Sequence, residues 1–171
     1  MLARTAMMTA LVPAAIVLVA GCVATYSPPR IQREVVETTV DAGKRDIYRV
    51  SLHVLRKSGF RFAFADQTEG RITTRPKTLK LTNRECDCGA AMGRTFSSDS
   101  RTTTDVSYFI IARDGGFSLR SIIEGQYVAS DTSMVKRFHC VSRGVLEKQL
   151  VDDIKDGLDE LEESSAGAEE L

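Results

Sequence analysis

Apolar positions along this chain fall into three kinds of run. The first is continuous: from Ala6 to Ala20 the residues are apolar except for Thr9 and Pro13, and Arg4 is the sole charge before Arg30. The second alternates. Phe60, Phe62 and Phe64 interleave with Arg61, Ala63 and Ala65; Val106, Tyr108 and Ile110 interleave with Phe109 and Ile111; Phe117, Leu119 and Ile123 follow in the same manner. A period of two puts every second side chain on one face, so these stretches predict strands. The third recurs at three and four. Ile47, Val50 and Val54, widened by Leu55, predict one amphipathic helix, and Leu146, Leu150, Ile154, Leu158 and Leu161 predict another.

Turn chemistry orders these elements. Asp41 is placed to cap the first helix, which runs to about Lys57 and stops at Ser58-Gly59. Asp66 to Gly70 turns the Phe-rich strand back through Arg71 to Arg75, until Pro76 ends the pairing. Asp114-Gly115-Gly116 is a hairpin signal between the long strands. Ser142 or Gly144 opens the last helix, whose charged side carries Asp152, Asp153, Asp156, Asp159, Glu160, Glu162 and Glu163. Between the hairpins, Lys77 to Ser100 has glycines, serines and close-spaced cysteines with little periodicity, and reads as an inserted loop with a short strand at Thr78 to Thr82. The order helix, hairpin, insertion, hairpin, helix predicts an α+β domain: an antiparallel sheet of about four to five strands with two helices packed on one face. The boundaries expected are a leader over 1–21, a tether over 22–39 with a strand at Arg33 to Thr39, the domain over 40–163, and a disordered acidic tail over 164–171.

The opening run has the form of a secretory signal, a positive start, a short apolar stretch and small residues at the exit. A spanning helix needs ~20 apolar residues with suitable flanks, and this run is shorter and broken by Pro13. It ends Val19-Ala20-Gly21-Cys22, which resembles the bacterial lipobox. That resemblance implies cleavage before Cys22 and lipidation of Cys22 by diacylglycerol and a further acyl chain. Two or more chains hold a protein firmly, where one holds it only marginally. Val23 follows the cysteine where an Asp favours inner-membrane retention in such lipoproteins, so the resemblance implies an outer-membrane anchor and a periplasm-facing domain.

Composition narrows the partners. There is no Trp and only 6% aromatic residues, and no basic-aromatic platform for nucleic acid is present. The formal net charge of zero is unevenly spread: residues 30–84 carry 13 Lys/Arg against 6 Asp/Glu, whereas residues 150–171 carry 1 against 9. Three cysteines remain beyond the lipobox, and in an oxidising compartment they tend to pair. Cys140 is expected to bridge to Cys88, whose neighbour Gly89 gives the backbone room, with Cys86 as the alternative partner. Closing a loop of this length contributes ~4 kcal/mol through the entropy of the unfolded chain.

The layout is similar to the helix-grip domains of BamC-type outer-membrane assembly lipoproteins. The features carrying the resemblance are the amphipathic helix running into Gly59-Phe60, the turn Glu69-Gly70-Arg71-Ile72-Thr73, and Cys140-Val141-Ser142-Arg143-Gly144-Val145-Leu146-Glu147 at the last helix. It implies a non-enzymatic accessory role with a protein partner in an envelope complex. A second expectation is a carrier, with a lipid or other apolar ligand in a groove between helix and sheet. A third is a peptidase, since Asp87-Cys88-Gly89 resembles the nucleophile corner of NlpC/P60 cell-wall peptidases, with His139 downstream as base. Against it stand the short, glycine-broken stretch after Cys88 and the lack of a third polar residue. Cys86, Cys88, His139 and Cys140 have zinc-ligand chemistry, but their C-x-C and His-Cys spacings crowd the ligands. The acidic run lacks the Gly-centred loop of a calcium site, and His53 reads as a helix-surface residue. No cofactor or metal is expected.

Overall fold

The structure is a computed structural model and describes residues 26–32, 35–129 and 135–169; the leader and Cys22 lie outside the described residues. In chain order the elements are β1 (Tyr26–Ser27), β2 (Val36–Thr39), α1 (Lys44–Lys57), β3 (Phe62–Asp66), β4 (Arg71–Thr74), β5 (Lys77–Leu79), β6 (Cys86–Asp87), β7 (Ala90–Ala91), β8 (Arg94–Thr95), a 3-10 turn (Phe96–Ser98), β9 (Thr102–Arg113), β10 (Gly116–Val128), β11 (Val135–Ser142) and α2 (Val145–Glu169). Strands within the tether segment belong to the fold: β1 pairs with β7, and β2 pairs with β10. Helix α2 continues to Glu169, into the segment expected as an acidic tail.

The expected sheet of four to five strands is overturned. The described residues form an antiparallel sheet of eight strands, with path β3-β4-β9-β10-β11-β6 and with β2 and β5 as side partners, together with a separate sheet of order β1-β7-β8. The reason lies in strand length. β9 and β10 are 12 and 13 residues long, and no single neighbour spans their edges. β9 is therefore bordered in tandem by β4, which pairs against Phe109 to Ile111, and by β5, which pairs against Thr104 to Val106. Arg75 and Pro76 separate the two, because proline cannot supply a ladder N–H; at the break, Tyr108 donates its amide hydrogen to Thr74 Oγ1 at 2.9 Å. β10 is bordered likewise by β2 at Gly116 to Leu119 and by β11 at Ile123 to Val128. Strands of two residues carry too few positions to show a period, so the sequence pattern missed β1, β6, β7 and β8. It also missed β11, whose run Val135 to Ser142 has three exposed residues at its start and reads as a connector.

The sheet's inner face is just as the long alternations predict. Val106, Tyr108, Ile110, Phe117, Leu119 and Ile123 are all buried, the most exposed at 5%. Ile47, Val50, Val54 and Leu55 from α1, and Leu150, Val151, Ile154 and Leu158 from α2, cover them. The helices do not cover this face alone, which is the second correction to the expected architecture: its other end lies under the cysteine insertion. One predicted alternation fails locally. A register shift between Phe62 and Phe64 breaks the period of β3, so Phe60 is buried against Tyr108 with ring centroids 5.1 Å apart, whereas Phe64 is half exposed.

Asp41 does not cap α1. The N-cap is Gly43, and the Lys44 amide is received by Asp114 Oδ1 at 2.8 Å, from the β9–β10 turn. An orphan helix N–H thus finds its acceptor 70 residues away rather than in the preceding loop. No described helix is long and apolar enough to cross a membrane.

Candidate functional site

The insertion between β5 and β9 folds over the far end of the inner face, and its polar residues set its shape. Glu85 Oε2 accepts from the Thr82 amide at 2.7 Å and from Thr82 Oγ1. Asp87 Oδ1 accepts from the Gly89 amide at 2.8 Å, and Asp99 Oδ1 from the Arg101 amide at 2.9 Å. Asn83 donates to Thr95 Oγ1 at 2.8 Å and accepts from Ser97 Oγ. The local bonds to backbone amides are how acidic and Ser/Thr side chains hold turns without a regular ladder, and Asn83 ties two stretches of the insertion together side chain to side chain. Beneath this frame, Tyr26, Phe96, Tyr127 and Phe138 pack ring against ring, with Phe96 and Phe138 centroids 4.7 Å apart and Phe96 and Tyr127 5.3 Å apart.

Three sulfurs lie among these rings. Cys88 and Cys140 form a disulfide with an S–S distance of 2.02 Å across a sequence separation of 52. Cys86 remains a free, buried thiol, its sulfur 3.7 Å from that of Cys88. Burial pushes the Cys86 thiol up to about 11; the Glu85 and Asp87 charges add to the shift and Arg143 opposes it. A thiol held neutral in this way is a poor nucleophile and a poor metal ligand. Two glycines make the crossing possible. Gly89 sits at φ 75°, where a Cβ would lie 2.3 Å from the Ser27 carbonyl, and at Gly125 a Cβ would lie 2.2 Å from the Phe138 ring.

Cys86, Cys88 and Cys140 come within 4.8 Å of one another, but His139 does not join them. It is exposed on β11 between buried Phe138 and Cys140, opposite Glu124, and successive strand residues face opposite ways. The four-residue zinc arrangement is therefore not assembled. The Cys88–His139 pair of a peptidase is not assembled either, with Cys88 spent on the disulfide. His53 is exposed on α1 and borders a surface hollow of about 500 Å³ between the helices, with Arg49, Arg56 and Glu160. The acidic residues of α2 from Asp152 to Glu163 are exposed, as a solvated helix side should be. Between helices and sheet, Tyr108, Ile110, Phe117 and Leu119 are buried in one core with the helix side chains.

Two features had little sequence signal. Glu147 is 3% exposed, and its carboxylate accepts from the Ser121 amide at 3.3 Å, from Ser121 Oγ, and from Ser142 Oγ at 2.5 Å. Ser142 Oγ in turn accepts from the Gly144 amide at 3.1 Å. This network ties the start of α2 to β10 and β11. The clue was a Glu three residues after Gly144, the capping-box position, although here the carboxylate bonds to neighbouring elements. The other feature is the outer face of the large sheet. Alternation places Phe109 and Ile111 of β9, Ile122 of β10 and Val141 of β11 there, all partly exposed, near the half-exposed Phe64. Arg120 spreads over the Phe109 ring, its guanidinium carbon 5.1 Å from the centroid. No described helix covers this face.

Neither a protein-family model nor a curated protein matches this chain. Among solved structures it is similar to a TBP-like protein from Parabacteroides distasonis, with a TM-score of 0.43 and 13% identity over 62% of this chain and 64% of that one. It is also similar to a DUF4468 family protein from Bacteroides ovatus, with a TM-score of 0.40 and 12% identity over 61% and 58% of the two chains. The match thus spans less than two thirds of either neighbour's length.

Proposed function

We propose that this chain is a non-enzymatic accessory protein of a bacterial envelope, fastened through lipid on Cys22 to the outer membrane's periplasmic face, and that its domain binds a protein partner. The observation that carries the reading is the uncovered outer sheet face. Phe109, Ile111, Ile122 and Val141 lie together there without a helix over them, in a fold whose opposite face is closed by two helices and a second sheet. Contiguous, partly exposed apolar surface of this kind marks interaction sites, and Arg120 over Phe109 is the type of cationic-aromatic pair enriched at interface centres. The lipobox-like quartet and the buried disulfide suit a protein that matures outside the cytoplasm.

Site-specific photocrosslinking at native expression tests this. A crosslinker at Ile122 is expected to yield one discrete protein adduct that Phe109→Asp removes, while a crosslinker at Lys155 on the exposed side of α2 yields none. No adduct at Ile122, with the protein correctly localised and disulfide-bonded, would rule out partner binding through this face.

A further inference from the structure

Four peptide steps separate Cys22 from Tyr26, a reach of at most ~14 Å even when fully extended. Pairing fixes where the first described residue, Tyr26, sits. β1 runs antiparallel to β7, with Tyr26 opposite Ala91 and Ser27 opposite Ala90, so Tyr26 lies at the end of the small sheet that carries the Met92–Gly93 turn joining β7 to β8. Met92 is 81% exposed, and its φ of 51° makes it the one described non-glycine residue in the left-handed region. With Gly93 at φ 74°, the two form a hairpin turn with positive φ at both positions, where Asn, Asp and Gly are the usual residues. A long apolar side chain here strains the backbone and buries almost nothing in the fold, so its use lies outside the domain.

The surroundings of the tip say what it meets. Met92 borders one surface hollow with Arg94, Arg101, Phe96 and Tyr127. The Arg101 guanidinium lies 4.8 Å from the Tyr127 ring centroid, and the Lys136 ammonium lies 4.8 Å from that of Tyr26. Asp99 lines the same hollow and is bound to Arg101 at 2.7 Å. Side-chain hydrogen bonding from Arg101 holds it at about 2, fully charged, and Arg94 and Lys136 add two exposed cations among the described residues. A flexible apolar tip ringed by amphipathic aromatics and long cationic side chains is the composition that settles at a bilayer surface.

We propose that the Met92–Gly93 turn is a membrane-contact foot: Met92 enters the boundary between headgroups and acyl chains, and Arg94 and Lys136 rest on anionic phospholipid headgroups. This rests on the lipid-anchor reading above, since the register of β1 brings the foot to the bilayer that holds Cys22. Two attachments, the acyl chains and the foot, then keep the domain in one orientation instead of letting it swing.

Because the chain has no Trp, Met92→Trp supplies a single fluorophore. Full-length M92W, purified from membranes, is reconstituted into phosphatidylethanolamine–phosphatidylglycerol vesicles whose acyl chains are brominated close to the headgroup. The expected result is a blue-shifted emission quenched at least twofold, weakened when phosphatidylcholine replaces phosphatidylglycerol; F64W, on the far edge strand, stays unquenched. Intact mass of the same sample reports whether Cys22 is acylated. If it is acylated and M92W is quenched no more than F64W, the foot is overturned while the anchor stands. If it is not acylated, the anchor reading fails and takes the foot with it. Peroxide oxidation of Met92 in the wild-type chain, slower in vesicles than in the Cys22→Ser protein in solution, is the expected result without any change at the tip; equal rates would overturn the proposal.

Discussion

The two ends of the sheet's inner face are closed by different physics. At one end, α1 and α2 lay continuous apolar stripes on β9 and β10, and Ile47, Leu55, Ile110, Leu119 and Ile154 are fully buried. At the other, the insertion offers strands of two residues and a single 3-10 turn, too little regular structure to bury a stripe. It is held by four aromatic rings, a set of Asp, Asn and Thr turn bonds, and the Cys88–Cys140 bridge. A segment with a repeating apolar period docks by area. A segment without one needs a covalent link to limit the conformations of its unfolded chain.

The largest effect should come from the helix end. Ile154→Ala removes a fully buried side chain at the helix–sheet contact and is expected to cost about 2–5 kcal/mol, seen as a lower urea midpoint for the whole protein. Reduction of the disulfide, or Cys140→Ser, comes next at ~2–4 kcal/mol. It should also be local: amide exchange should accelerate in 82–101 well before it does in α1 or β9. Uniform acceleration would show that the two ends do not differ as argued.

Alkaline pH separates the ends in a third way. The folded state keeps Cys86 neutral, raising it to about 11 from a value near 9 when unfolded. The associated stability is complete below pH 9 and is lost as pH rises from there through about 11, by about 3 kcal/mol in all. Tyr108 at the helix end is also raised by burial, so Cys86→Ala should reduce this slope rather than abolish it. Urea titrations at pH 8 and pH 10.5 on both proteins measure the difference. A Cys86 thiolate would also be within 3.7 Å of the Cys88 sulfur, and peptide mapping after alkaline incubation is expected to find bridges involving Cys86 in the wild type.

The smallest effect has the opposite sign. Met92→Asn relieves a left-handed φ of 51° at an exposed turn and is expected to stabilise by about 0.5–1 kcal/mol. A gain in stability together with weaker membrane contact would show that Met92 is maintained for something other than folding. A loss of stability would mean that the side chain packs.

Much of the helix end was legible because its signals are periodic and local. The Ile47–Leu55 stripe, the alternation through Val106 to Ala112 and the Leu146–Leu158 spacing each declare a face within a dozen residues, and the Asp114-Gly115-Gly116 turn joins the two long strands directly. Little of the insertion was legible in this way. Gly89 marked where the backbone needed freedom, but that Cys88 rather than Cys86 reaches Cys140 depends on β6 pairing with Ser142 and Val141, a contact with no trace in local spacing. The exclusion of His139 from the sulfurs is likewise a matter of strand parity.

What the amino-acid order decides unaided is therefore which of the longer periodic stretches are strands or helices and which of their faces are apolar, since both follow from side-chain period and backbone preference over a few residues. Only the tertiary structure decided how many strands the sheet holds, that Asp114 caps a helix 70 residues before it, that Glu147 is buried among serines of two other strands, and that the tether enters the fold beside Met92. Each of these joins residues far apart in the chain, and such contacts are selected by edge length, register and burial, quantities that exist only once the chain has closed on itself.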